Sequence, residues 1–294
     1  MRKISGTEIS KKIEVQLKKE VENLNKSSIT PCLGVILVGD DPASAVYVGR
    51  KKNMCEKLGI QSISVVLPAD VAPDRVYEEI EKMNQNSAVH GILCQLPLPS
   101  QVAENRVIEM IEPTKDVDCF HPINMGYLAA GRPRFMPCTP FGVLQILRYE
   151  DIDITGKEVV VLGRSNIVGR PLSILLSLKG WDATVTICHS RTKNLEAICA
   201  GADILVAAIG KPDFVKASFI KPGAVVIDVG INKVKADNEK GFRLTGDVDY
   251  DDISKKAYAA TPVPGGAGPL TIMMLMYNTI NAARIQNNME LFQL

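Results

Sequence analysis

The sequence predicts an α/β protein of two three-layer αβα domains, each a parallel sheet covered by helices on both faces, with a cleft between them. Three observations carry this. Short β-branched runs alternate with amphipathic stretches of helical length, in two sets on either side of a proline-rich interval. Val159-Val160-Val161-Leu162 runs straight through a turn of small residues into a helix start. At 294 residues and 46% hydrophobic, the chain has apolar material for one large core or two ordinary ones.

Ile9, Ile13, Leu17, Val21 and Leu24 recur every three or four residues, which predicts a helix over 7–24. The apolar run 33–38 reads as a buried strand closed by Gly39-Asp40-Asp41-Pro42. A helix over 43–58 follows, with Gly59 as its C-cap. Strand 62–67, helix 73–84 and strand 91–95 complete a β-α-β-α-β run. Helix 103–111 leads into an interval, 112–140, expected to be irregular and to mark a boundary. Helix 141–148 opens the second set: strands 158–162, 183–188, 204–208 and 224–229, with helices at 171–179 and 193–200. The polar segment 233–243 reads as a surface excursion, and 270–286 as a long apolar helix crossing back to the first domain.

Composition narrows the class. A formal net charge of +1 gives no reason to expect a nucleic-acid or anionic-membrane partner, and the apolar runs are strand-sized, too short to span a bilayer. The basic start leads into no apolar signal core, and Glu8, Glu14, Glu20 and Glu22 argue against a mitochondrial presequence. The seven cysteines have no C-x-x-C spacing, and several sit inside apolar runs. They read as buried reduced thiols of a cytoplasmic protein. His90, His121 and His189 form no H-x-x-x-H, so no metal site is expected.

Chemistry enters at the strand–turn–helix. Gly163-x-Ser165-x-x-x-Gly169 puts backbone N–H groups and a helix N-terminus at the end of a strand, which suits a dinucleotide pyrophosphate in a Rossmann-like domain. Ser165 stands where close approach of the backbone normally needs a second glycine, so the motif alone also fits a plain α/β turn. The next strand ends Cys188-His189-Ser190-Arg191-Thr192-Lys193, with no carboxylate to grip a ribose 2′-hydroxyl. Arg164, Ser190 and Arg191 suit a 2′-phosphate instead, which favours NADP over NAD. Asp228-Val229-Gly230-Ile231-Asn232 closes a later strand at the same edge. The loop from Thr261 through Pro264, Gly265 and Gly266 to Pro269 is stiff yet lets backbone approach a flat ring or a phosphate.

In the other half, Tyr47 and Lys51 stand at i and i+4, one to stack on a heteroaromatic ring and one to reach its reactive atoms. By itself that spacing equally describes a partly exposed helix face. Gln95 ends a buried strand where ligands gather in parallel sheets. Lys115-Asp116-Val117-Asp118 brings two carboxylates, one of which can accept two parallel N–H donors from an amino-pyrimidine edge.

Together, Tyr47-x-x-x-Lys51, Gln95-Leu96-Pro97-Leu98-Pro99, Lys115-Asp116-Val117-Asp118, Pro137-Cys138-Thr139-Pro140, the Gly163–Pro171 turn, Asp228–Asn232 and Pro262-Val263-Pro264-Gly265-Gly266 carry a resemblance over essentially the whole chain. It resembles the bifunctional methylenetetrahydrofolate dehydrogenase/methenyltetrahydrofolate cyclohydrolases. The resemblance implies that Lys51 serves the cyclohydrolase with Gln95 as its hydrogen-bonding partner. It implies that Asp118 holds the pterin, that Tyr47 stacks on the folate, and that Pro264 and Gly265 line the substrate. Gly163, Arg164, Ser165, Ser190, Arg191 and Ile231 would contact NADP. It further implies a folate-binding catalytic domain at 1–140, an NADP-binding domain at 141–269, and a homodimer joined through the nucleotide domains.

The chain departs from the family pattern at Cys119, usually Gly, and at Ala267 and Leu270, usually Val and Met. The latter two exchange apolar for apolar. If position 119 needs a positive φ, the cysteine Cβ costs about 1 kcal/mol and can shift the Asp118 loop. Two other readings stay open at this point: a dehydrogenase-only member of the family, and a silent NADP-binding regulator.

Overall fold

The computed structural model describes residues 1–237 and 241–294. By its own contacts the chain divides into two units, one of residues 12–136 with 272–294 and one of residues 1–11 with 137–271. The edge strand β1 (Arg2–Lys3) and the start of α1 (Gly6–Lys26) fall in the second unit, and the rest of α1 in the first.

The first unit is built on a three-stranded parallel sheet, order β3-β2-β4, from β2 (Cys32–Val38), β3 (Gln61–Leu67) and β4 (Gly91–Cys94). Every residue of β2 is buried, which is why its sequence shows no polar alternation. Helix α2 (Pro42–Leu58) starts where Asp41 accepts the Ser44 N–H at 2.8 Å, and ends at Gly59 with φ 79°. Helices α3 (Pro73–Gln85) and α4 (Glu104–Met110) pack Val76, Ile80, Met83 and Val107 against Ile36 and Ile92.

The interval expected to be irregular contains a helix, α5 (Pro122–Ala129), and the next one, α6 (Cys138–Tyr149), begins earlier than expected. Two of the prolines there, Pro122 and Pro137, stand at helix starts instead of breaking structure. Pro122 takes the first helical position, where an N–H would be orphaned anyway, and the His121 ring accepts the Ile123 N–H at 3.1 Å.

The second unit carries a six-stranded sheet, order β1-β11-β8-β7-β5-β6, parallel at every pairing. Its members are β5 (Glu158–Leu162), β6 (Thr184–Cys188), β7 (Ile204–Ala207), β8 (Val225–Asp228) and β11 (Ala259–Ala260), besides β1. Between them lie α7 (Gly169–Ser177), α8 (Leu195–Ala200) and α9 (Tyr250–Ile253). The polar excursion holds an antiparallel hairpin of β9 (Asn232–Lys235) and β10 (Phe242–Thr245), and its residues 238–240 lie outside the described residues. Val160, Leu162, Leu205 and Val226 form the core under this sheet.

The last helix, α10 (Ala267–Gln286), is buried on all sides from Met273 to Ala283, so its sequence there is apolar apart from Asn278, Thr279 and Asn281, which are themselves buried. All seven cysteines are buried thiols. Among the described residues, no helix is long and apolar enough to cross a membrane, and no group of His, Cys, Asp or Glu is placed to hold a metal ion.

Candidate functional site

In the first unit, the Lys51 Nζ donates to Gln95 Oε1 at 2.9 Å, across 44 residues of sequence. The Gln95 Nε2 in turn donates to the Leu96 carbonyl at 2.7 Å, which settles the orientation of the amide and leaves its oxygen facing the amine. Lys51 and Gln95 are both half-buried, as is Tyr47 one helical turn away on α2. An amine held on a rigid helix by a strand-end amide has little freedom left.

The two carboxylates of the 115–118 segment have different jobs. Asp116 is buried and accepts from the Phe120 N–H at 3.1 Å, the His121 N–H at 2.9 Å and the Asn124 amide at 2.8 Å. Burial pushes its carboxyl above the usual range, against the pull of those donors. Lys115 is turned inward, donating to the carbonyls of Met83, Asn84 and Asn86, and burial lowers its pKa. Both residues therefore hold the loop. Asp118 is only half-buried and lines a small pocket with Phe120, Cys94 and Leu96, the last two flanking Gln95. Asp116 lines the same pocket, but its carboxylate is already taken up by three donors, and Asp118 is the more exposed of the two.

Cys119 has φ 60°, with its thiol directed at the Phe135 carbonyl at 3.3 Å. The positive φ anticipated for this position is present, and a buried side chain occupies it.

In the second unit, β5 pairs with β6 so that Leu162 lies opposite Cys188, and the Gly163 N–H donates to the Cys188 carbonyl at 2.9 Å. The loops carrying Arg164, Ser190 and Arg191, all exposed, thus leave the same edge from adjacent strands. A Cβ on Gly163 would fall 2.1 Å from the Ala208 carbonyl oxygen, and one on Gly169 would fall 2.1 Å from that of Gly163. These two glycines close the turn. Ser165, in the place of a third, accepts the Val168 N–H at 3.1 Å and so serves the start of α7. The loop after β6 is closed by the Thr192 hydroxyl, which accepts the His189 N–H at 2.9 Å, and by the His189 ring, which accepts the Arg191 N–H at 3.1 Å.

Ile231 is exposed, and a Cβ on Gly268 would lie 3.4 Å from its Cδ1. The loop of Pro264 and Gly265 is anchored from the first turn of α1, where the Thr7 N–H donates to the Gly265 carbonyl at 3.1 Å. Gly6 approaches so closely that a Cβ would meet the Gly266 oxygen at 1.8 Å.

Two buried carboxylates lie behind this edge: Asp228, the first residue of the 228–232 motif, and Asp247, which was not singled out from the sequence. Asp228, at the end of β8, accepts the N–H groups of Gly230 at 2.9 Å, Asp247 at 3.0 Å and Val248 at 2.9 Å. Burial raises its pKa to about 7, opposed by those donors and reinforced by neighbouring Asp247. Asp247 is wholly buried. Glycines offered the one available signal: Gly230 and Gly246 sit where a Cβ would strike these carboxylates.

Comparison with known proteins gives the family description "Tetrahydrofolate dehydrogenase/cyclohydrolase", its catalytic domain matching residues 4–118 and its NAD(P)-binding domain 137–287. The chain is 53% identical over 287 residues to the "Bifunctional protein FolD" of Acetivibrio thermocellus, covering 98% of each chain. The crystal structure of the bifunctional methylenetetrahydrofolate dehydrogenase/cyclohydrolase from Campylobacter jejuni superimposes with a TM-score of 0.92 at 43% identity, covering 97% of this chain and 99% of that one. The Trypanosoma brucei dehydrogenase-cyclohydrolase, solved with NADP and an inhibitor, also gives 0.92, at 39% identity over 96% and 97% of the two chains.

Proposed function

The chain belongs to the tetrahydrofolate dehydrogenase/cyclohydrolase family, and on that premise we propose which of its residues carry the two reactions. It is a bifunctional NADP-dependent enzyme of one-carbon folate metabolism. It oxidises 5,10-methylenetetrahydrofolate to the methenyl cation and hydrolyses that cation to 10-formyltetrahydrofolate.

The residues at the edge of the six-stranded sheet fit NADP. Gly163 and Gly169 let the backbone of the turn close on itself at the strand end, and Arg164, Ser190 and Arg191 offer a guanidinium pair and a hydroxyl to a 2′-phosphate. Gly163 and Ser165 would meet the pyrophosphate, and Ile231 an apolar face. When bound, NADP supplies the acceptor for the hydride. The chain's part in that step is alignment, because the two flanking nitrogens stabilise the cation and no proton has to move.

Hydrolysis does need proton transfer. Water adds to the methenyl carbon, giving up a proton, and the hydroxyl so formed loses its own proton to become the formyl carbonyl as the carbon–N5 bond breaks and N5 takes one. Lys51 moves these protons, held in place by Gln95. Tyr47 stacks on the folate, Asp118 accepts the amino-pyrimidine N–H donors, and Pro264 and Gly265 bring rigid backbone against the substrate. Substrate binding is assigned to residues 1–140 and coenzyme binding to 141–269. The matched ranges of the two family domains support that division.

A homodimer joined through the nucleotide domains is part of the proposal. β6 is the open edge of the six-stranded sheet, with Ile187 exposed, and supports it. A cytoplasmic location is supported by seven buried thiols.

The observation that carries the reading is the Lys51–Gln95 hydrogen bond. The test follows absorbance with methylenetetrahydrofolate and either NADP⁺ or NAD⁺. Reduced coenzyme formed with NADP⁺, without lasting methenyl accumulation, is expected. Accumulating methenyl product would remove Lys51 and Gln95 from their roles, and preference for NAD⁺ would remove Arg164 and Ser190 from theirs.

A further inference from the structure

Asp247 is 0% exposed, yet its carboxylate gathers donors from two separate strand ends. Oδ2 accepts the N–H of Ile209 at 2.6 Å and of Gly210 at 3.0 Å, while Oδ1 accepts the Lys211 N–H at 2.8 Å and the Asn232 side-chain amide at 2.9 Å. Three successive backbone N–H groups wrapped on one anion make a nest of the kind that elsewhere binds phosphate. Here the anion is internal, and the loop after β7 is folded around it.

The second strand end is that of β8. Gly230 packs on Asp247 so closely that a Cβ would lie 2.3 Å from its Cγ, and Asn232 donates to it. Ile231 stands between the two. Its two chain neighbours both meet one carboxylate, Gly230 by close packing and Asn232 through its side-chain amide, while the Ile231 side chain is 45% exposed. The loop after β7 has a further reach, because its Ala208 carbonyl is the atom that leaves no room for a Cβ at Gly163. The Ala208 N–H also donates to the Leu162 carbonyl at 2.8 Å. One buried side chain therefore ties the glycine turn, the loop after β7 and the Ile231 loop into a single surface.

Asp247 itself is held from behind: its own N–H donates to Asp228 Oδ1 at 3.0 Å, and that of Val248 donates to Asp228 Oδ2 at 2.9 Å. A carboxylate buried to this extent is costly unless it is fully hydrogen-bonded, and its four donors meet that need.

We propose that Asp247 is a positioning residue for coenzyme binding: it touches no reacting atom, and its carboxylate presets the 209–211 and 230–232 loops against NADP. This rests on the assignment of Ile231 and the Gly163 turn, against which Ala208 packs, to the coenzyme.

The test is Asp247→Asn, whose amide turns an N–H donor toward donors. Three readouts are taken: KM for NADP⁺, hydrogen exchange at 209–211 without coenzyme, and hydrolysis of methenyltetrahydrofolate without coenzyme. The expected result is a rise in KM of about tenfold or more, faster exchange at 209–211, and hydrolysis within about twofold of the parent enzyme. Asn232→Ala, which removes one donor and leaves the nest, is expected to raise KM several-fold and keeps the proposal testable if Asp247→Asn does not fold. An unchanged KM in both variants overturns the proposal. So does a parallel fall in both activities with the melting temperature, since that describes a residue that merely holds the fold. If Ile231→Ala leaves KM unchanged while Asp247→Asn raises it, the clamp stands and the assignment of Ile231 to NADP contact fails.

Discussion

The Lys51 amine and the Gln95 amide oxygen are 2.9 Å apart, and the Leu96 carbonyl fixes which end of the Gln95 amide faces Lys51. A chain of two hydrogen bonds thus runs from the end of β4 to the amine. Because the oxidative step moves no proton, Lys51→Met is expected to reduce methenyl hydrolysis by at least about a hundredfold while much of the hydride transfer remains. The check is to run both assays on one preparation of the variant. Equal and severe loss of both activities would show that Lys51 serves binding in general.

Cys119 offers a test of backbone strain. Its φ of 60° suits glycine, while its buried thiol fills space and meets the Phe135 carbonyl. At an ordinary buried position, alanine is more stable than glycine by about 0.5–1 kcal/mol. Here the order is expected to reverse, with Cys119→Gly at least as stable as Cys119→Ala, because alanine keeps the strain and loses the sulfur. Chemical denaturation of the two variants measures this directly. A clearly more stable alanine variant would mean that the left-handed conformation carries no strain.

What could be read in the sequence, and what could not, follows from range. The runs 33–38 and 159–162 announce themselves because total burial demands unbroken apolar runs, and Gly59 marks a helix end through its own backbone. The Lys51–Gln95 pairing was legible only through resemblance, since no local rule joins residues 44 apart. Helix α5 was hidden because prolines near 122 and 137 read as interruptions, whereas at a first turn they favour the helix. Asp247, and the burial of Asp228, were hidden for a deeper reason. Gly246-Asp247-Val248-Asp249 has the composition of a surface turn, and burial of a carboxylate depends on donors brought from other strand ends.

Asp228 should give the protein a characteristic pH dependence. Burial raises its pKa from an ordinary value near 3.8 to about 7, so the folded state holds a proton that the unfolded chain releases. The contribution to stability is complete below about pH 4 and is lost as the pH rises through about 7, with a total on the order of a few kcal/mol. Denaturation midpoints measured between pH 5 and 8 are expected to fall with rising pH. In Asp228→Asn that slope should flatten, whatever the variant's absolute stability. An identical slope in the two proteins would assign the titration to another group.

Arg164 bears on coenzyme choice. It follows Gly163 at the end of β5, level with Ser190 beyond the end of β6, because Leu162 is paired with Cys188. Both side chains are exposed at an edge whose loops are held by backbone hydrogen bonds, so a guanidinium there is available without moving the fold. A charge-assisted contact to a 2′-phosphate contributes about 1.5–3 kcal/mol, whereas a ribose 2′-hydroxyl gains little from the same cation. Arg164→Ala is therefore expected to raise KM for NADP⁺ by about ten- to a hundredfold with a far smaller change for NAD⁺. Methenyl hydrolysis, whose proton-transfer residues Lys51 and Gln95 lie in the other unit, should be unchanged. Steady-state kinetics with the two coenzymes decides the matter: a KM that rises equally for both would mean that Arg164 meets the pyrophosphate they share.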